Sequence, residues 1–178
     1  MNLNELGEFG LIEKLKATLP CRDDSIVLGI GDDCAIISHR SKYHTVTTTD
    51  SLQERVHFTW KTITPYQLGW KALAVNLSDI AAMCAVPKFG LLAFSIPENY
   101  SLQTIQEIVK GIADICVKFG VSVIGGNICK SLSDLTITVT LMGEIEIGKA
   151  IRRNGAKVGD IIFVTGYPGE AALGLDIL

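Results

Sequence analysis

The sequence predicts an α+β fold, a mixed or antiparallel sheet backed by two long helices. Three observations predict it. First, alternating and β-branched runs, such as Thr136, Thr138 and Thr140 set against Ile137, Val139 and Leu141, have the two-residue period of half-buried strands. Second, two long segments carry helical periodicity or capping: Thr64 with Pro65 opens one, and Ser101 opens the other. Third, strands and helices do not alternate regularly, so a doubly wound parallel sheet is disfavoured.

In chain order, residues 5–19 read as a short amphipathic helix with Phe9, Leu11, Ile12 and Leu15 on one face, and Pro20 helps end it. A polar turn at residues 22–25 follows, where Asp23 and Asp24 read as a solvated loop. Strands are expected at 25–30, 34–38 and 44–50, the last rich in β-branched residues. A helix is expected from Pro65 to about Ala85, with Pro87 barring its continuation, and then a strand over 89–96. The second helix shows Leu102, Ile105, Ile108, Val109, Ile112, Cys116 and Phe119 on one face, and Gly120 ends it. A short strand at 121–124 leads into a turn at Gly125-Gly-Asn127, and a longer strand covers 135–145.

Residues 150–160 are polar and glycine-containing, like a connector. A strand at 161–165 and a helix from Gly169 are expected beyond it. A strand plus half a helix does not bury itself as a domain. The expected organisation is therefore a first domain over 1–149, and a connector with the opening of a second over 150–178.

The 178 residues are 48% hydrophobic and 20% charged, the balance of a soluble globular chain. The net charge is −3 and no Lys/Arg cluster stands out, which disfavours a general nucleic-acid binder. The longest apolar run is broken by Asn76, Ser78 and Asp79, so no membrane span is expected. Five cysteines with no C-x-x-C pair read as reduced thiols, and no signal peptide is recognised at the start; both point to the cytoplasm.

The chemistry lies in acids at the ends of apolar runs. Leu28-Gly-Ile-Gly-Asp-Asp33 places two glycines before paired Asp32 and Asp33, and Thr47-Thr-Thr-Asp50 ends a β-branched run on a carboxylate. Asp79 stands in the nearly uncharged run 72–86. Buried unpaired carboxylates are costly, and acids brought together need a cation. Hard oxygen donors favour magnesium or calcium, and magnesium binds through a few carboxylates plus substrate phosphates. For Asp33 and Asp50 a plain turn role stands as the alternative, and Asp32 reads as a cap of its turn.

Two near-matches fail on chemistry. Gly143-x4-Gly148-Lys149-Ala150 resembles a P-loop, but Ala150 stands where the magnesium-binding hydroxyl belongs, and Glu144 and Glu146 would repel phosphate. Gly29-x-Gly31-x-x-Cys34 lacks the third glycine of a dinucleotide fingerprint, and its two aspartates would face the pyrophosphate.

Taken together, Gly29-Ile-Gly-Asp-Asp33, Thr48-Thr-Asp50, Val56-His-Phe58, the run 71–83, Gly125-Gly-Asn127 and Arg152-Arg-Asn-Gly-Ala156 resemble the thiamine-monophosphate kinase family. The wider superfamily is that of aminoimidazole ribonucleotide synthetase, whose amino-terminal-domain fold the resemblance implies. It implies the first half to three-fifths of a typical member. The implied activity is ATP-dependent phosphorylation of thiamine monophosphate to thiamine diphosphate, with magnesium between aspartates and phosphates. Carried over by position, Asp33, Thr48, Thr49, Asp50, Asp79 and Asn127 would surround magnesium. Gly126, Asn127 and Arg153 would contact ATP, and His57 would contact the thiamine substrate. Many members carry Asp at the position of Asn127. No covalent nucleophile is implied, since the acceptor is the substrate's own phosphate oxygen. A homodimer through the amino-terminal domain is implied as well. The alternatives are a non-catalytic dimerisation and nucleotide-binding module, or another ATP-using member of the superfamily.

Overall fold

The computed structural model describes residues 24–28, 32–38 and 42–178. The helix expected over 5–19, the start of the polar turn at 22–25, and the glycines Gly29 and Gly31 lie outside the described residues.

Among the described residues, six strands form one sheet: β1 (Ile26–Leu28), β2 (Ala35–Ser38), β3 (Tyr43–Gln53), β4 (Val86–Pro97), β5 (Ser122–Ser131) and β6 (Thr136–Glu146). Their order is β1-β2-β3-β6-β4-β5. All pairings are antiparallel except β4 with β5, so the sheet is mixed. Helices α1 (Pro65–Ala82) and α2 (Leu102–Phe119) are the two long ones, and α3 (Glu170–Ile177) lies near the end.

Each long helix starts where its sequence dictates. Thr64 and Gln67 form a reciprocal capping box before Pro65, satisfying two otherwise orphaned N–H groups. Ser101 caps α2 by accepting from Thr104 N–H, and Gly120 ends it at φ 69°. The helix α1 stops at Ala82, and Cys84 beyond it takes a left-handed φ of 62°, a conformation that suits glycine.

Core positions follow the two-residue period. On β3, Val46, Thr48 and Leu52 are buried, and on β6, Ile137, Val139, Leu141 and Ile145 are buried. They meet Leu68, Ala72, Leu73, Leu77 and Ile80 of α1. The helix α2 packs on α1 at very close range through two glycines. A Cβ at Gly69 would stand 1.9 Å from Ile108 O, and one at Gly111 would stand 2.0 Å from Tyr66 O. Only hydrogen fits at either point.

Three expectations change. The strand expected to begin at residue 89 begins at Val86 and carries Pro87 within it; the proline blocks a helix but is tolerated beside a register shift between Pro87 and Phe89. Residues 125–127 form no turn: β5 runs straight through them, its backbone paired to β4. Gly126 is needed there because a Cβ would fall 1.8 Å from Leu92 O. Residues 161–165 form no strand, and every residue from 151 to 178 is exposed.

Candidate active site

Successive residues of a strand point to opposite faces, and this decides which candidate residues meet. On β3, Thr48 and Asp50 share the face covered by α1, while Thr49 and Ser51 point to the other.

On the α1 face, Thr48 Oγ1 donates to Asp79 Oδ2 at 2.7 Å. Asp79 projects from α1 one turn after Asn76, which is fully buried. The Asn76 amide nitrogen donates to Ala72 O at 3.0 Å, and among the described residues its Oδ1 has no partner. An unsatisfied buried acceptor is uncommon in native structures. Burial first, and then the facing Asp79 carboxylate, push the Asp50 carboxyl above its ordinary range, while His57 opposes the shift. Among the described residues, neither Asp50 nor Asp79 has a salt-bridge partner.

A second acidic pair lies beside the first. Asp32 Oδ1 accepts from Asp33 N–H at 2.9 Å, so Asp32 caps its own turn, as its sequence context suggests. Arg153 lies against both acids. Its Nη2 and Nε donate to Asp33 Oδ1, the latter at 3.0 Å, and its backbone N–H points at Asp32 Oδ2 at 3.4 Å. Cys34 connects the two pairs. Burial pushes its thiol up to about 12, helped by Asp79, then Asp33, then Asp32, and opposed by a hydrogen bond with Thr48. One buried thiol therefore senses three of the four acids.

His57 borders this region. Gln53 N–H donates to His57 Nδ1 at 3.0 Å, which places the ring proton on Nε2, and Lys71 Nζ donates to the His57 carbonyl at 2.8 Å. A cavity of about 300 Å³ opens here, lined by Val56, His57, Phe58, Thr62, Lys71 and Leu175 among others.

Thr49 and Asn127 lie on the opposite face of the sheet. Thr49 Oγ1 meets Thr140 Oγ1 and the Val139 carbonyl, each at 3.0 Å. Asn127 is level with Ala93, Thr138 and Ser51 across the sheet. With Gly126, Thr138 and Thr140 it lines a shallow cavity of about 280 Å³. The structure thus brings together Thr48, Asp50, Asp79, Asp33 and Arg153, with His57 at the margin. It does not bring Thr49 or Asn127 to that group.

All donors on the α1 face except the Cys34 thiol are oxygens, the chemistry that suits magnesium. Among the described residues, no three His, Cys, Asp or Glu side chains stand close enough to enclose a metal. The oxygen donors suit a hard cation in kind, and in number they would leave part of its shell to other ligands.

Sequence reasoning missed one polar network. Trp60 Nε1 donates to Tyr100 Oη at 2.7 Å, Tyr100 Oη donates to Glu54 Oε2 at 2.6 Å, and Leu135 N–H also reaches that oxygen at 3.2 Å. These residues are far apart in sequence, and no local pattern links them.

Named relatives match along nearly the whole chain. The Bacillus subtilis (strain 168) thiamine-monophosphate kinase is 37% identical over 173 residues, covering 97% of this chain and 53% of its own length. Its Aquifex aeolicus (strain VF5) counterpart is 39% identical over 178 residues, covering 100% and 55%. The chain spans about half the length of the curated relatives it matches. A solved structure of AaThiL complexed with AMPPCP and TMP superposes with a TM-score of 0.88 at 38% identity, over 99% of this chain and 54% of that one. Residues 31–145 match the model for AIR synthase related protein, N-terminal domain. That span contains the sheet from β2 to most of β6, both long helices, and every aspartate of the site, and so the chain belongs to the AIR synthase related family, as its N-terminal domain.

Proposed function

We propose that this chain forms the ATP- and magnesium-binding part of a thiamine-monophosphate kinase, which transfers the terminal phosphoryl group of ATP to thiamine monophosphate. The observation that carries the reading is the uncompensated apposition of Asp50 and Asp79 beside the His57 cavity. Relatives bearing that kinase name align along nearly the whole chain, and the AaThiL structure holds AMPPCP and TMP.

Asp33, Asp50 and Asp79 hold magnesium in this proposal, and Thr48 fixes the Asp79 carboxylate for that task. When bound, the ions supply positive charge to the phosphates and to the transferring group. His57 presents Nε2–H to the thiamine substrate, and Gly126 and Arg153 meet the nucleotide. A phosphate oxygen of thiamine monophosphate attacks, ADP leaves, and no side chain forms a covalent intermediate. The acceptor oxygen is already ionised at neutral pH, so no strong base is required. Thr49 and Asn127 join the nucleotide only from the other face of the sheet. Residues 1–149 form the binding and dimerisation domain, and 150–178 the connector and start of a second domain. The enzyme is a cytoplasmic homodimer; among the described residues no helix is long and apolar enough to cross a membrane.

The test is to supply the complete protein containing this chain with MgATP and thiamine monophosphate and to follow thiamine diphosphate by chromatography. Product is expected, with a loss of at least about a hundredfold for Asp79→Asn, the scale of removing one essential electrostatic group. No product from the intact protein overturns the reading.

A further inference from the structure

We infer that Arg153 is a built-in counter-ion for the Asp32–Asp33 pair, and that a divalent cation must displace it. The inference rests on the proposed role of Asp33 as a cation ligand. Arg153 and Asp33 are each offered to a ligand in that role, yet here they are bound to each other. Arg153 cannot serve a ligand while it is closed on Asp33, and a cation at Asp33 competes with the guanidinium for the same carboxylate.

The geometry favours exchange over a permanent bridge. Nη2 and Nε of Arg153 converge on one oxygen, Asp33 Oδ1, rather than spanning both carboxylate oxygens as a two-pronged pair does. Neither of these nitrogens bonds the second Asp33 oxygen. Arg153 is 49% exposed and Asp33 26%, so the guanidinium can leave without unfolding anything. Arg153 opens a single 3-10 turn, Arg153–Gly155, in an exposed segment with no buried residue. Asp32, by contrast, is held by Asp33 N–H and is only 7% exposed, so the acid pair stays in place when the arginine departs.

Charge balance gives the direction. Two carboxylates and one guanidinium leave one negative charge, and a divalent cation in place of the guanidinium leaves none. The Asp50–Asp79 pair has no such internal partner among the described residues, so it is open to a cation from the outset. The freed guanidinium is then available to an anionic phosphate. One side chain thus offsets the repulsion of the two acids and, once displaced, serves the nucleotide.

The two halves of this claim predict opposite effects from one substitution. Manganese(II) alone, titrated into the 178-residue chain and read by the electron paramagnetic resonance of the free ion, is expected to bind Arg153→Ala and Arg153→Gln about three- to tenfold more tightly than the unaltered chain. With manganese and AMPPCP together, the same variants are expected to bind the nucleotide more weakly. Unchanged or weaker binding of manganese alone overturns the inference. Asp33→Asn separates the two readings: if it leaves manganese binding unchanged, the cation role of Asp33 itself fails. Should the arginine variants not fold, magnesium titration of the unaltered chain decides. The Arg153 Nε–H resonance is expected to shift as the guanidinium leaves Asp33, and a resonance that stays put through saturation overturns the inference.

Discussion

Thr48 Oγ1 and Asp79 Oδ2 are joined by a 2.7 Å hydrogen bond that ties the central strand β3 to helix α1 at the heart of the acidic site. The bond does two things. It satisfies a buried hydroxyl, and it fixes one oxygen of the carboxylate whose charge acts on Asp50. Thr48→Val keeps the shape and removes the donor, leaving the Asp79 carboxylate under-satisfied. A loss of about 1–3 kcal/mol in chemical unfolding is expected, with Thr48→Ser close to the unaltered chain. An equal loss in both variants would show that the methyl group, not the hydrogen bond, matters.

Asp50 is expected to act against stability when no cation is present. Its folded-state carboxyl is raised above 3.8, by burial first and by Asp79 second. A raised acid favours the folded state when protonated. That contribution is present below the unfolded value and is lost as pH rises through the folded value, so at neutral pH the ionised group is a burden. Asp50→Asn is therefore expected to raise the melting temperature of the cation-free chain at pH 7 by about 1–3 °C. Added magnesium should stabilise the unaltered chain more than the variant. A lower melting temperature for the variant would mean that Asp50 has a stabilising partner.

Tyr100 anchors the relay from Trp60 to Glu54. Burial, and then the hydrogen bond to Glu54, push its phenol from 10.0 up to about 12. The folded state holds this proton more tightly than the unfolded state does. The stabilisation is present in full below pH 10 and is lost as pH rises toward 12. Tyr100→Phe is expected to cost about 1–2 kcal/mol at pH 8 and to flatten the alkaline fall in stability between pH 10 and 12. An unchanged alkaline slope would show that the relay is not what sets it.

The thiols should separate by environment. Cys34 and Cys116 are buried with raised values, whereas Cys84 and Cys129 are exposed. Thiolates are the reactive species, so brief iodoacetamide treatment at pH 8, read by peptide mass spectrometry, should label Cys84 and Cys129 and spare Cys34. Rapid labelling of Cys34 in the folded chain would contradict the burial of the acidic site.

The two long helices and most strands were legible because local rules agree with the tertiary fold. The Thr64–Pro65 start and the Ser101 start with its Gly120 stop were written in cap chemistry, and β6 in its alternation. The course of β5 was not legible. Gly125-Gly126 has turn composition, but the reason for Gly126 is the backbone of Leu92, which sequence order does not reveal. The acids of the site were legible as residues, since carboxylates among apolar neighbours stand out. Their grouping was legible only in part. The period of β3 already separates Thr49 from Thr48 and Asp50, whereas the meeting of Arg153 with Asp33 depends on a loop 120 residues away. Asn76 could be placed on the Asp79 face by helical spacing, but its unsatisfied oxygen emerges only from packing.

The most direct measurement is calorimetric titration of AMPPCP into this chain with and without magnesium, repeated with Asp79→Asn. Magnesium-dependent binding that is lost in the variant is the predicted result. Binding that needs no magnesium, or that survives the loss of the Asp79 charge, would contradict the claim that the aspartates hold the nucleotide through a cation.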